Sequence, residues 1–298
     1  MHPIGALAAY LGVVFAGGGL LAPWLYWLAD ATPLAGDVST NPFHRFVSRS
    51  LLLVALLGIW PYLRALRMSS WRDVGLGHRR DWLRQAGTGF VLGFLTLGSV
   101  GLIALAAGAR EWNHATADRI AAALGTAAAS ALIVGVLEEL LFRGTIFGSL
   151  RRQGDWIMAI IVSSVVYSLV HFFRKPGFQP WGIRWWSGLR ALPDMMLGFL
   201  DVTAVVPGFF VLLLVGAILA LAYQRNGNLY FSIGLHAGWI FWMKSYGVMT
   251  TSREGASQWI WGSAKIVDGW ISFVVLLPLL VWLSRSLEPV QPVREYAH

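Results

Sequence analysis

Apolar runs close to membrane-spanning length dominate this sequence. A helix needs about 20 apolar residues to cross the hydrocarbon core of a bilayer. Eight runs approach or reach that length, at 4–29, 46–63, 86–109, 120–142, 156–173, 204–223, 230–248 and 266–283. Backbone polar groups inside lipid must be hydrogen-bonded within the protein, so such runs favour helices. The sequence therefore predicts an all-α, polytopic integral membrane protein of about eight transmembrane helices, with residues 1–298 forming a single transmembrane helical domain.

The composition supports this class and excludes others. Of the 298 residues, 56% are hydrophobic and 13% are charged, whereas a soluble domain carries about 25% charged residues. Sixteen tryptophans suit a protein anchored at two membrane–water interfaces. Cysteine is absent, which excludes disulfides, cysteine zinc ligands and thiol catalysis. The net charge of +8 is explained by basic loops facing anionic lipid, so we expect the lipid bilayer and no nucleic acid as a partner.

Two connections between the apolar runs stand out. Residues 64–84 carry six arginines together with Trp71 and Trp82, a pattern that predicts an amphipathic segment lying on the cytoplasmic surface. Residues 174–201 are rich in tryptophan, and this loop either re-enters the interface and covers a site or lies passively in it. Placing 64–84 inside gives eleven lysines and arginines on each side, those of 64–84 included, so the count leaves the orientation open.

Two adjacent glutamates interrupt the fourth apolar run. Glu138 and Glu139 are followed by Arg143, while the flanks 121–136 and 146–150 carry no charged residue. An ionised side chain at bilayer depth costs roughly 2.5–3.5 kcal/mol on insertion scales, so three within six positions indicate function. On a helix, Glu139 and Arg143 have the favourable spacing and order for an ion pair. Glu138 lies about 100° away around the helix and is the carboxylate left free to act as a general base.

Two histidines lie inside other apolar runs. In the fifth run, Ser164, Tyr167 and His171 share one helix face. In the seventh run, His236 is surrounded by small residues that would let another helix approach closely. Each histidine alone is more often structural. Together with the glutamates they form a plausible hydrolytic centre, so we expect the side chains of Glu138, His171 and His236 to lie within roughly 10 Å of one another around a cavity.

These motifs resemble those of a known family. The run Glu138-Glu139-x-x-x-Arg143, an aromatic residue four positions before His171, and His236 in a later span are similar to the motifs of the CAAX-protease and bacteriocin-processing (Abi) family. Members of that family are intramembrane glutamic proteases of about eight helices. The resemblance covers about 120–248, which would be the catalytic core, and implies a bacterial inner (cell) membrane location.

The resemblance also implies a role for each matching residue. Glu138 would activate the water, and His171 would assist it as a partner base. Arg143 would organise Glu138 and Glu139, and His236 would help to form the oxyanion hole. No cofactor and no metal is implied.

The sequence departs from the family pattern in two places. Tyr167 stands where the family commonly has Phe, and Ile240 stands where it usually has Asn or Asp, four residues after His236. Isoleucine cannot donate a hydrogen bond, so another group would have to stabilise the oxyanion. The donor is then Trp239, Tyr167 or a serine, unless His236 acts alone or activity is lost. Of these we expect Trp239 or Tyr167 to supply it and to contact the substrate.

The leading interpretation is an intramembrane endopeptidase acting on a membrane-anchored or lipidated protein or peptide. Prenylated C-terminal tails, leader peptides and C-terminal sorting tags all fit. One alternative is a non-catalytic immunity or scaffold protein that keeps the polar cluster for packing. Another is a metal-dependent hydrolase, since glutamate and histidine can bind zinc, although no HExxH motif is present. A third is a transporter that uses the acids as a proton relay.

Overall fold

The structure is a computed structural model that describes residues 2–32, 41–175, 182–263 and 265–285. In this part of the chain the α-helices are α1 Pro3–Ala31, α2 Phe43–Ala65, α3 Trp82–Ala106, α4 Ala117–Glu138, α5 Gly148–Gln153, α6 Trp156–Val170, α7 Ser187–Met196, α8 Val202–Asn226, α9 Tyr230–Met249, α10 Gln258–Trp261 and α11 Trp270–Arg285. A π-helix, Glu139–Phe147, joins α4 to α5, and a 3₁₀ turn, Leu197–Leu200, follows α7. Two short strands, β1 Arg110–Trp112 and β2 Thr250–Ser252, pair antiparallel.

The expected class, a helical membrane protein, is confirmed. Every predicted run overlaps a helix. Five helical segments in the described residues are long and apolar enough to cross a membrane: α1, α2, α3, α8 and the continuous stretch Ala117–Arg152. The helices α6 and α11 are shorter, at 15 and 16 residues, and α9 carries His236 and Lys244. The predicted end of the fourth run at 142 is wrong, because the helical stretch continues to Gln153.

Glycines bring α3 and α9 into close contact. A Cβ atom at Gly93 of α3 would lie 2.2 Å from the carbonyl oxygen of Leu235, and one at Gly238 of α9 would lie 2.3 Å from that of Phe90. Gly234 meets the carbonyl of Ala86 at 2.0 Å in the same way. The expected close approach of a helix to the small residues around His236 is therefore confirmed, and α3 is that helix.

The glycine contact supports a stability prediction. We expect Gly93→Ala to destabilise the protein by about 1–3 kcal/mol, because the added methyl group has no space against α9. Gly87→Ala on the same helix is the matched control, since nothing lies within 4 Å of a Cβ there and alanine is the better helix former by up to about 1 kcal/mol. Thermal unfolding in detergent measures both. Equal midpoints for the two variants would contradict the close contact.

The connection between α2 and α3, which the sequence predicted to be an amphipathic surface segment, has both exposed and buried side chains, and its position at a membrane surface stays a prediction. It is built from turns, and both Met68 and Val74 are buried. A Cβ at Gly144 of the π-helix would lie 2.9 Å from the Val74 carbonyl oxygen. Gly75 has a positive φ of 83°, and its carbonyl accepts a hydrogen bond from the backbone N–H of Leu229. The connection therefore packs against one end of the bundle and contacts the π-helix at Gly144.

An exposed ion pair ties this connection to the helix bundle. Arg152 donates to Asp73 at 2.8 Å, and the two side chains are 41% and 23% exposed. Burial raises the pKa of Asp73, but hydrogen bonds from Ser70, Ser69 and Arg152 outweigh it and lower the pKa to about 2. The Asp73 carboxylate is therefore ionised throughout the neutral range.

The loop between α6 and α8 contains a packed helix. Within 174–201, Trp181 lies outside the described residues, while Trp185 and Trp186 are exposed. The helix α7 packs against α1, where a Cβ at Gly188 would lie 2.0 Å from the Gly19 carbonyl oxygen. Ala191 and Met195 of α7 are buried against α1 and α2. The loop therefore contains a helix that packs against α1 and α2, and both interpretations of its place at the interface stay open.

Candidate active site

A buried ion pair forms the base of the site. Arg143 donates from Nη1 to Oε1 of Glu139 at 2.8 Å, and the side chains are 2% and 0% exposed. His236 lies with Nδ1 3.0 Å from the same oxygen. Arg143 Nη2 also donates to the carbonyl of Gly216 on α8, at 3.4 Å. The predicted pairing of Glu139 with Arg143 is confirmed, and it links the π-helix to α8 and α9.

The backbone that carries this pair is a π-helix. Its wider i→i+5 turns are rare, and they occur mainly at functional sites. The Thr145 hydroxyl donates to the carbonyl of Leu140, five residues earlier. This geometry could not be predicted, because the spacing of Glu139 and Arg143 suits an ordinary α-helix as well. Arg143 still reaches Glu139, so the ion pair is compatible with the wider turns.

Glu138 is in a different environment from its neighbour. Its side chain is 27% exposed, and its Oε2 lies 3.8 Å from Nε2 of His171 and 3.8 Å from Nε2 of His236. Within the described residues Oε2 has no hydrogen-bond partner. The expected convergence of these three side chains is therefore confirmed. Their catalytic roles stay predictions.

Hydrogen bonds orient both histidines toward Glu138. His171 lies with Nδ1 2.7 Å from the carbonyl oxygen of Tyr167. A carbonyl only accepts, so Nδ1 carries the hydrogen, and in the neutral ring Nε2 is left as a base facing Glu138. His236 lies with Nδ1 3.0 Å from the Glu139 carboxylate oxygen that also accepts from Arg143, so Nδ1 carries the hydrogen there as well. In the described residues no group of three or more histidine, cysteine and acidic side chains is arranged to hold a metal ion.

The structure distinguishes between Trp239 and Tyr167, the two residues expected to supply the hydrogen-bond donor that Ile240 lacks. Trp239 donates its indole N–H to the hydroxyl of Thr96 on α3, at 2.9 Å. The expectation that Trp239 supplies an oxyanion donor is therefore wrong, although its ring lines the cavity. Tyr167 remains: its hydroxyl meets Nε2 of His236 only at the long distance of 3.5 Å, a contact that an oxyanion can replace, and the Arg143 guanidinium lies 4.3 Å from its ring centre.

Two serines of α6, Ser164 and Ser168, do not reach the space between Glu138 and His236. Ser168 donates to the carbonyl of Phe209 on α8. Ser164 lies against Gly216, where an added Cβ would be 2.9 Å from its hydroxyl oxygen. Of the predicted polar face of α6, only Tyr167 and His171 turn toward Glu138.

Two cavities meet at Glu138 and His171. The first, of about 310 Å³, extends along α9 past His236 toward the end of the bundle where α6 ends and α8 begins. Its wall is apolar near Trp239 and Ile240, and it carries Lys244, Lys265 and Asp268. Sequence reasoning missed these lysines, although Lys244 lies in the same helix as His236.

The second cavity, of about 450 Å³, lies on the other side of Glu138. It is bounded by α1, α2, α6 and α7, and its wall is almost entirely apolar. Leu52, one of its lining residues, is 43% exposed on the outer surface of the bundle. This cavity therefore connects the side of the bundle with the carboxylate. The participation of α1 and α2 in the site was not predicted from the sequence.

A comparison with protein families fits this geometry. Residues 120–242 match the family model described as Rce1-like, type II CAAX prenyl endopeptidase Rce1-like. The match runs from α4 into α9 and includes all of the converging polar residues. No match was found among curated proteins or solved structures. The family resemblance read from the motifs is therefore confirmed: residues 120–242 of this chain are similar to the Rce1-like CAAX-protease family.

Proposed function

We propose that this protein is an intramembrane endopeptidase that uses Glu138 to activate a water molecule. One observation carries the proposal: an unpartnered carboxylate oxygen lies 3.8 Å from two histidine nitrogens, where two cavities meet. Polar atoms separated by more than about 3.5 Å are commonly bridged by water. A water molecule between them can donate its two hydrogens to two of these three acceptors, Glu138 Oε2 and one of the histidine Nε2 atoms.

The chemical steps follow from the positions of these groups. Glu138 takes a proton from the water, whose oxygen attacks the carbonyl carbon of the scissile peptide bond. The resulting tetrahedral intermediate collapses as the C–N bond breaks, and Glu138 passes its proton to the leaving nitrogen. His171, which presents a basic Nε2, keeps the water oriented and can share the proton.

We assign the Tyr167 hydroxyl as the hydrogen-bond donor that stabilises the oxyanion. We expect Tyr167→Phe to lower kcat by about 10²–10³-fold, the loss found when one oxyanion donor is removed from a hydrolase. The phenylalanine keeps the ring that packs on Phe142 and Arg143, so thermal stability should change little. Steady-state kinetics on one cleavable peptide measures the effect.

Ile240 provides a complementary test of the same assignment. It lies one helical turn after His236 and lines the first cavity, so Ile240→Asn alone should change activity little while Tyr167 supplies the donor. In the Tyr167→Phe background the same substitution should recover part of the lost activity. If Ile240→Asn raises the rate of the otherwise unchanged protein tenfold or more, Tyr167 is not the working donor.

The substrate that fits best is a protein held in the membrane by a lipid or an apolar segment. The second cavity, between α1, α2, α6 and α7, is apolar and borders the outer surface of the bundle. An apolar group in that cavity would place the adjoining peptide at Glu138, with the remainder of the chain in the first cavity. Among the substrates considered, a lipidated C-terminal tail uses both cavities.

The test is cleavage by the full chain in lipid nanodiscs. Three fluorescent peptides are compared: a prenylated C-terminal peptide, the same peptide without its lipid, and a leader-type peptide. We expect the prenylated peptide to be cut fastest and Glu138→Gln to cut none. If the wild-type protein cuts the three peptides no faster than the Glu138→Gln control does, the non-catalytic alternative is favoured.

Metal dependence is decided in the same assay. The proposed chemistry needs only a carboxylate and histidines, so we expect exhaustive chelation to leave the rate unchanged. Loss of activity on chelation and its return with zinc would replace this mechanism by a metal-dependent one.

A further inference from the structure

We infer that a third cavity, between the β1–β2 pair and α10, binds the phosphate group of an anionic phospholipid through Arg110 and Arg253. This cavity shares no lining residue with the two cavities that meet at Glu138. Both arginines lie outside the segment that matches the family model. The inference is therefore independent of the proposed function and can be tested whether or not a peptide is cleaved.

The third cavity is small and largely polar. It has a volume of about 240 Å³ and lies where β1, which follows α3, pairs with β2, which follows α9. Half of its lining side chains are charged or can form hydrogen bonds: Arg110, Ser252, Arg253, Gln258 and Ser263. Pockets for drug-sized ligands measure roughly 300–1,000 Å³. We therefore expect this cavity to hold a smaller polar group, of the size of a lipid headgroup phosphate.

Arg110 places a buried positive charge in the wall of this cavity. The residue is only 4% exposed. It donates to the hydroxyls of Thr250 and Ser252 at 3.0 and 3.1 Å, and to the backbone carbonyls of Thr250 and Ser263 at 3.1 and 3.5 Å. These acceptors are all neutral, and no carboxylate in the described residues lies within 4 Å of the guanidinium. Because arginine is almost never buried without a charged partner, this wall favours an anionic ligand.

Arg253 adds a second positive charge at the exposed edge of the cavity. Its backbone N–H donates to the carbonyl of Ala109, the residue before Arg110. Its Nη1 lies over the turn at Gly108, where an added Cβ would be 3.5 Å away. The two guanidinium groups therefore belong to one end of the β pair, where one anion can contact both.

The neighbouring acids do not line this cavity. Glu111 and Glu254 are exposed and point elsewhere, as the alternation of side chains along a strand predicts for Glu111 next to Arg110. Asp268 lines the first cavity, and its Oδ1 accepts the backbone N–H of Ser263 at 2.8 Å. The lining side chains of the third cavity thus carry two positive charges and no negative one.

The surface around the cavity indicates that a lipid supplies the anion. Trp112 and Trp259 are exposed beside it, and tryptophan is enriched where a membrane meets water. Leu102 and Ile103, near the end of α3, are exposed and apolar. An acyl chain along these residues would leave its headgroup at the third cavity.

The charge of the cavity selects the type of phospholipid. Arginine forms paired hydrogen bonds with phosphate oxygens, and basic pockets beside transmembrane helices bind phosphate headgroups. A zwitterionic headgroup carries its own cationic group, which the two arginines repel. An anionic phospholipid is therefore favoured over a zwitterionic one.

The experiment measures lipid binding to the full chain in neutral detergent by native mass spectrometry. The probes are phosphatidylglycerol and phosphatidylcholine with identical acyl chains. We expect phosphatidylglycerol to bind the wild-type protein at least about fivefold more tightly. Arg253→Gln should weaken phosphatidylglycerol binding about fivefold, as the loss of one basic charge near a membrane surface implies, and leave phosphatidylcholine binding unchanged.

The choice of variants keeps folding and binding apart. Arg110→Gln should weaken binding too, but Arg110 also ties β1 to β2. Arg253→Gln leaves the hydrogen bonds of Arg110 in place and is therefore the deciding variant. Arg119→Gln is the matched control, because Arg119 is an exposed arginine at the start of α4 that does not line the cavity, and it should bind phosphatidylglycerol as the wild type does.

Three outcomes would overturn the inference. The first is equal affinity of the wild-type and Arg253→Gln proteins for phosphatidylglycerol. The second is an equal loss of affinity in Arg119→Gln, which would show attraction to surface charge in general. The third comes from thermal unfolding with inorganic phosphate as the probe: stabilisation by phosphate that Arg253→Gln removes, without stabilisation by phosphatidylglycerol, would assign the cavity to a free phosphate instead of a lipid.

Discussion

Glu138→Gln is expected to abolish peptide-bond hydrolysis while leaving the fold intact. The substitution keeps the shape of the side chain and removes the group that accepts the proton of the attacking water. General base catalysis contributes about 10²–10⁴ to a rate, so the remaining activity should lie at or below one per cent. Stability should hold because Glu138 Oε2 has no hydrogen-bond partner in the described residues and the side chain is 27% exposed. Turnover of a fluorescent peptide and thermal unfolding measure the two quantities.

Substitution of an exposed glutamate provides the matched control for this test. Glu254→Gln removes the same charge from an exposed residue in the loop after β2 and should change neither activity nor stability. If Glu138→Gln retains wild-type turnover, another group is the base, and His171 becomes the first candidate because its Nε2 lies in the same space.

Glu139→Gln is expected to act in the opposite way, by destabilising the protein. Arg143 is 2% exposed, and no other carboxylate in the described residues lies within 4 Å of it. Removing one partner of a buried pair leaves an uncompensated charge, which costs about 3–5 kcal/mol. We therefore expect low yield and a much lower unfolding temperature, measured in detergent. Activity per folded molecule is a separate readout and should fall too, because Glu139 also holds the ring of His236.

Two controls distinguish burial from the loss of an ion pair as such. Asp73→Asn breaks another 2.8 Å pair, but that pair is exposed and should be worth about 0–1 kcal/mol. The double variant Glu139→Gln/Arg143→Met removes the stranded charge, so it should be more stable than Glu139→Gln alone. If Asp73→Asn and Glu139→Gln lower the unfolding temperature equally, burial of the Glu139–Arg143 pair is not what makes it important.

The parts of the site that could be predicted depend on local spacing and on the cost of charge in lipid. Glu139 and Arg143 are close in sequence, so helical geometry alone pairs them. The convergence of Glu138, His171 and His236 followed from the cost of isolated polar side chains in a membrane, which favours their clustering. Neither argument required knowledge of how distant helices pack.

The parts that were missed depend on contacts between distant segments. Trp239 donates to Thr96, which lies 143 residues away, and no spacing rule links the two. The arginines of 64–84 indicate an exposed segment, but they do not show which of its apolar residues are buried against the bundle, here Met68 and Val74. The π-helix leaves no separate sequence signal, since its ion pair fits an α-helix equally well.

The lateral position of the second cavity has a kinetic consequence. A substrate that reaches Glu138 between α1 and α2 arrives by diffusion in two dimensions, so the relevant concentration is its mole fraction in the bilayer and not its molarity in the buffer. Diluting a fixed amount of enzyme and substrate with additional neutral lipid should lower the rate, while diluting the whole vesicle suspension with buffer should leave turnover per enzyme unchanged. An enzyme with this behaviour is controlled by the composition of the membrane around it.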